Sequence, residues 1–204
     1  MDFKENTHMS KSTLMEKIAT EIKACRKCDL WKQRQNAVSG EGCLDALVMF
    51  IGEAPGYHED VKGQPFVGAA GKLLDELLSG IGLSRKEVFI GNVLKCRPPK
   101  NRDPLMKEIK TCTPYLDQQI NIVKPKIIVT LGRHSTGYIF SKVGLKSEGI
   151  TKLRGKVYEI KLFGSQISLI PMYHPAAVLY NVAYKEGLER DFQLLKSKLE
   201  KLPN

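Results

Sequence analysis

Ala46-Leu47-Val48-Met49-Phe50-Ile51, running straight into Gly52-Glu53-Ala54-Pro55-Gly56, is the stretch on which the fold turns. An apolar run without polar alternation indicates a strand covered on both faces. The glycine- and proline-bearing segment behind it breaks the strand and leaves polar groups at its carboxyl end. The pattern recurs at Val88-Phe89-Ile90 and Ile127-Ile128-Val129-Thr130-Leu131, and again at Ile167-Ser168-Leu169-Ile170. Working outward, helical spacing predicts segments near 69–80, 104–123 and 132–141. A final helix is expected over 184–201, where Leu188, Phe192, Leu195 and Leu199 share a face, and an early one carries Leu14, Ile18 and Ile22 and ends near Cys25.

Strands alternating with helices imply right-handed crossovers and a parallel sheet covered on both sides. One α/β domain over residues 11–204 is expected, preceded by a polar, flexible segment at 1–10. In such sheets ligands bind outside the carboxyl ends of the strands. Glu53, Asn92 and the pair His174-Pro175 all fall at such ends, so three polar signals converge on one edge.

The bulk numbers set the class of partner. An apolar fraction of 42% and a charged fraction of 26% in 204 residues are those of an ordinary globule, so no metal is demanded by a missing core. Lys plus Arg outnumber Asp plus Glu by 32 to 22, a net charge of +10 that is spread along the chain. Such a surplus suits a polyanion, nucleic acid above all, although a solvated lysine-rich surface gives the same sum. Met1 to Asn6 has no apolar run of the secretory type, and no stretch approaches the length of a membrane span. The expectation is an intracellular protein whose five cysteines are thiols or ligands.

Cys25 and Cys28 form a C-x2-C pair, and Cys96 and Cys112 add a second pair across a segment rich in Arg and Lys. Four thiolates suit either tetrahedral zinc or a 4Fe–4S cluster, and spacing does not choose. Cys43 stands apart in a glycine-flanked turn and is read as non-ligating.

The run from Gly52 to Asp75 contains Gly-Glu-Ala-Pro-Gly and Gln-Pro-Phe-Val-Gly. Taken with Asn92-Val93-Leu94-Lys95-Cys96-Arg97 and His174-Pro175-Ala176-Ala177, it resembles the family 4 uracil-DNA glycosylases of archaea and thermophilic bacteria. The resemblance covers about residues 20–195. It implies a four-stranded parallel sheet in a three-layer α/β/α domain. It also implies a 4Fe–4S cluster on Cys25, Cys28, Cys96 and Cys112, and excision of uracil from single- or double-stranded DNA.

The resemblance makes Phe66 the stacking platform for a flipped uracil and His174 the donor to its O2. The Asn92 amide has the pattern to pair with uracil O4 and N3–H, which cytosine would mispair. Better-known relatives carry Asp where this chain has Ala54, so the water-positioning or cation-stabilising carboxylate is assigned to Glu53. Glu59 is the expected guard against a thymine methyl, in place of a Tyr found elsewhere where this chain has Gly56. No lysine nucleophile is needed, and the Lys-Arg-Arg-Ile-His run of a covalent-binding branch is absent, so an abasic product is expected.

Lys152 and Arg154 are expected to contact phosphate, and the segment from Ala176 through Ala177 and Val178 to Leu179 to wedge into the duplex, unless it simply starts a helix. Gly68 to Gly71 are read as letting a helix N-terminus approach phosphate or base. His58 and His134 receive no role. The further expectations are uracil-containing DNA as substrate, free uracil as product, a monomer, and a cytoplasmic, nucleoid-associated location. A non-catalytic nucleic-acid-binding module or an electron carrier would have no use for Phe66, Asn92 and His174 together.

Overall fold

The computed structural model describes residues 9–202. A six-stranded sheet is ordered β1-β3-β2-β4-β6-β5. Its strands are β1 (Glu41–Gly42), β2 (Val48–Gly52), β3 (Phe89–Asn92), β4 (Ile127–Leu131), β5 (Tyr158–Leu162) and β6 (Ser165–Met172). The inner four, β3-β2-β4-β6, are mutually parallel, and β1 and β5 close the two edges in antiparallel register. The four parallel strands expected are these inner four, and β1 and β5 extend them to a mixed sheet of six. β1 has two residues, too short for any periodic pattern, and β5 alternates exposed and buried side chains in place of a continuous apolar run. β5 joins β6 through Phe163-Gly164, both at positive φ, as a tight two-residue hairpin turn requires.

The continuous apolar runs are explained by two cores. Met49 and Ile51 of β2 face one core with Ile128, Tyr115, Leu116 and Ile139. Val48 and Phe50, pointing the other way, face a second with Val129, Leu74, Leu78 and Phe192. Phe50 and Phe192 are fully buried and stack with centroids 5.9 Å apart. The helices supplying the first core are α1 (Lys11–Ala24), α4 (Met106–Val123) and α5 (Arg133–Lys142). Those supplying the second are α3 (Ala69–Gly80), α7 (Pro175–Tyr180) and α8 (Lys185–Leu199). Two short helices, α2 (Tyr57–Lys62) and α6 (Ile150–Leu153), cap loops. Three layers result.

Ser10 caps α1 by accepting from Thr13 N–H, and residues 1–8 of the segment expected to be flexible lie outside the described residues. Among the described residues no helix is long and apolar enough to cross a membrane.

After β2 the chain goes to β3 on one side and later to β4 on the other. The strand order reverses at β2, and the crevice at its carboxyl end is where an open α/β sheet takes its ligand.

Candidate active site

A cleft of about 550 Å³ opens at that crevice. Glu53, Ala54, Glu59, Phe66, Asn92, His174 and Ala177 all line it. Glu53, Asn92 and His174, expected at one sheet edge, line this cleft together with the rest.

Asn92 ends β3, opposite Gly52 at the end of β2. A Cβ on Gly52 would lie 2.3 Å from Asn92 Oδ1 and 2.7 Å from Phe66 Cζ. The missing side chain is thus what lets the amide and the ring meet at the strand end. Asn92 is 2% exposed, and its Oδ1 is a buried acceptor with no hydrogen-bond partner among the described residues. Such an orphan costs about 1–3 kcal/mol unless a ligand N–H satisfies it.

Phe66 is buried at φ 53°, a left-handed conformation that a bulky side chain rarely takes. Arg85, which sequence reasoning did not single out, holds it there. Its guanidinium donates to Pro65 O (3.0 Å) and to Phe66 O, and is itself fixed by Asp75 (2.5 Å) and Glu41 (3.0 Å). Glu59 secures the other end of the same turn, accepting from Val67 N–H (2.8 Å), Gly68 N–H (2.9 Å) and Gly56 N–H (3.1 Å). Its carboxylate is a fixed wall of the cleft. Ala70, in the first turn of α3, lines the same space.

His174 is the N-cap of α7, with Pro175 at the first helical position. Its Nδ1 accepts from Ala176 N–H at 3.1 Å, which leaves the ring proton on Nε2 as a donor. Burial pushes its pKa down to about 4, against a smaller upward pull from Glu59, so the imidazole is neutral at physiological pH. Its ring stacks on Phe66 with centroids 5.5 Å apart and planes 22° from parallel.

Glu53 sits at the mouth of the cleft in company the sequence did not announce. His134, given no role there, places Nε2 3.9 Å from Glu53 Oε2 and 3.5 Å from Asp103 Oδ1. Arg133 donates to the same Nε2 at 3.2 Å and pairs with Asp103. Burial raises the Glu53 pKa and Asp103 adds to the rise, while His134 and Arg133 oppose it. Asp103, from the loop before α4, and Arg133 and His134, from the first turn of α5, are some 30 residues apart and lack motif spacing, so only the fold reveals them.

The other expected contacts distribute unevenly. Lys152 is exposed, with Glu148 4.0 Å away. Arg154 turns inward, pairing with buried Asp191 (Nε–Oδ2 2.8 Å), donating to Gly187 O and lying over the Tyr173 ring. Val178 is buried in the second core, whereas Leu179 and Tyr180 project at 53% and 92% exposure.

Cys25, Cys28, Cys96 and Cys112 line one small void on the α4 side of the sheet, with Tyr115, Trp31 and Arg34. Cys43 does not line it. Burial pushes the thiol pKa of Cys28 and Cys96 up, and that of Cys112 to about 12. As free groups these three would be protonated and undercharged for ligation; bound iron or zinc would reverse that. Arg34 Nη1 donates to Cys96 Sγ (3.0 Å) and Lys95 N–H to Cys112 Sγ (3.2 Å), contacts that favour thiolate. Among the described residues, only Glu53, Asp103 and His134 bring three candidate ligand atoms within 4.8 Å of one another. The sulfurs are therefore spread more widely than the ~3.8 Å that Zn–S bonds of about 2.3 Å around one tetrahedral ion impose. The donor set fits a larger unit.

Comparison with known proteins agrees with this geometry. The family model described as the Uracil DNA glycosylase superfamily matches residues 39–196. A type-4 uracil-DNA glycosylase of Saccharolobus solfataricus is 54% identical, covering 93% of this chain and 88% of that protein. One from Sulfurisphaera tokodaii is 57% identical over 89% of this chain and 83% of its own length. One from Thermotoga maritima is 43% identical over 84% and 86%. With the fold, the cleft and these relatives in agreement, the chain belongs to the uracil-DNA glycosylase superfamily and, within it, to the type-4 uracil-DNA glycosylases.

Proposed function

We propose that this protein hydrolyses the N-glycosidic bond of uracil flipped out of single- or double-stranded DNA, releasing free uracil and leaving an abasic site. One observation carries the reading: the unpartnered, buried Asn92 Oδ1 shares a cleft with the Phe66 ring and the His174 imidazole.

A base within a duplex is out of reach, so the nucleotide must rotate into the cleft, at a cost of a few kcal/mol. Phe66 offers the stacking face. Asn92 Oδ1 accepts from N3–H and its Nδ2 donates to O4; cytosine, with an acceptor and a donor reversed, would leave both desolvated. As the glycosidic bond breaks, negative charge gathers on the base, and His174 Nε2–H is placed to receive it at O2 without reorganising. A neutral imidazole suits that donation. Glu53, its pKa raised by burial, positions the water or balances the sugar cation. Glu59, immobilised by three N–H groups, forms the wall a thymine methyl would strike.

Cys25, Cys28, Cys96 and Cys112 would hold a 4Fe–4S cluster, which when bound supplies a structural tie between the α1 end and the basic loop that precedes α4. Lys152, Ala177 and the exposed tip Leu179-Tyr180 are the DNA-facing candidates, and Val178 anchors that tip from beneath. The enzyme acts as a monomer in the nucleoid-bearing cytoplasm. Incubation with a uracil-containing oligonucleotide followed by alkali should give cleavage at the uracil. Asn92→Ala and His174→Ala, folded but slow, should give little; wild-type cleavage by either would remove that residue from the chemistry.

A further inference from the structure

Lys95 is 1% exposed, and neither the fold nor the chemistry above accounts for a cation there. Its Nζ donates to Asn92 O at 2.9 Å and to Gln119 Oε1 at 2.7 Å, and its own N–H donates to Cys112 Sγ at 3.2 Å. Cys112 and Gln119 lie seven residues, about two turns, apart on one face of α4. The helix therefore grips Lys95 at both ends, through its backbone and through its ammonium. Gln119 is fixed in turn, its Nε2 donating to Ser39 O at 2.6 Å.

The recipient of this arrangement is the peptide that follows Asn92. Val93 N–H is taken by Gly52 O at 3.0 Å, and Leu94 N–H by Glu53 O at 2.9 Å, where the chain leaves β3 beside the end of β2. The carbonyl of the Asn92–Val93 peptide lies past the end of the strand, and Lys95 supplies its donor. Both polar groups are then fixed, and with them the direction in which the Asn92 side chain leaves the backbone. That side chain has no hydrogen bond to hold its Oδ1 among the described residues, so its aim depends on the backbone beneath it. A fully buried ammonium whose hydrogen bonds go to two neutral oxygens, with the Cys112 sulfur its charge partner, is an expensive way to satisfy one carbonyl. A residue retained at that cost is explained by placement better than by stability.

We propose that Lys95 is a positioning residue for the uracil-reading amide of Asn92, and that α4 sets it through Cys112 and Gln119, so that the cysteine site and the base pocket form one rigid unit. The proposal rests on the reading of Asn92 given above.

The test measures inhibition by free uracil, affinity for abasic-site DNA, and cluster absorbance in the purified, cluster-loaded protein. Lys95→Met keeps the length of the side chain and removes the buried charge. It should raise the uracil inhibition constant about tenfold or more, the scale of one charged hydrogen bond, with abasic-DNA affinity and cluster absorbance unchanged. Gln119→Leu, which leaves Lys95 and the cysteines in place, should raise it about threefold, and decides the matter if Lys95→Met does not fold. Wild-type uracil inhibition in either folded variant overturns the proposal, as does an equal loss of abasic-DNA affinity, which would mark general damage. Asn92→Ala separates the two layers: if it too keeps wild-type uracil inhibition, the reading of Asn92 fails, and if it alone weakens uracil, only the role of Lys95 does.

Discussion

The cysteine site and the cleft lie on either side of the segment 92–96, and they are built on opposite terms. Around the cysteines the groups are mutually engaged: two buried and two half-buried thiols, cations stacked over Trp31 and Tyr115, donors aimed at sulfur. In the cleft the groups face outward and unfinished, with an acceptor lacking a partner, an imidazole with a free donor, and a carboxylate pushed toward protonation. A closed, satisfied site stabilises, and an open, unsatisfied one binds and reacts. Substitutions in the first should therefore lower stability, and those in the second should lower rate.

The widest contrast is expected from Cys25→Ser. Loss of one of four ligands should remove several kcal/mol from folding, a fall in melting temperature of about 10 °C or more by calorimetry. His174→Ala should do the reverse, cutting kcat about a hundredfold, or ~3 kcal/mol, with a melting temperature close to wild type. If the two variants exchanged these phenotypes, the division would be wrong.

The pH dependence sharpens the same contrast. The folded pKa of His174 is depressed to about 4, below its ordinary 6.5. Above about pH 6.5 the ring is neutral in both the folded and the unfolded chain; as pH falls toward 4 the unfolded chain takes up a proton that the fold refuses, and stability is progressively lost. The total is about 3 kcal/mol. Melting curves of His174→Gln across that range should be flatter than those of wild type. Smallest is Glu59→Gln: an amide oxygen keeps some of the backbone donors but loses the charge, about 1–2 kcal/mol in stability and a several-fold rise in KM.

Much of this was legible before any coordinates. The apolar runs at 46–51 and 127–131 located the central strands, since only burial on both faces tolerates such runs. Glu53, Phe66, Asn92 and His174 could be placed by resemblance, and their assembly on one wall follows from the reversal of strand order at β2. The edges were not legible. β5 alternates because one face meets solvent, and β1 is too brief to have a period. Nor were supporting side chains. Arg85 and Lys95 act through main-chain carbonyls, which leave no trace in residue type, and His134 meets Glu53 across 81 positions of chain. Arg154 shows the converse hazard: a basic residue in a basic loop whose guanidinium is committed to Asp191.

Arg85 grips the oxygens of Pro65 and Phe66 and makes no demand on the phenyl ring. The backbone at this position is thus held without help from the ring. Exchange of Phe66 for a larger or smaller aromatic should leave the turn in place while changing the ring area presented to the cleft, which on the function proposed above would retune the bases it accepts.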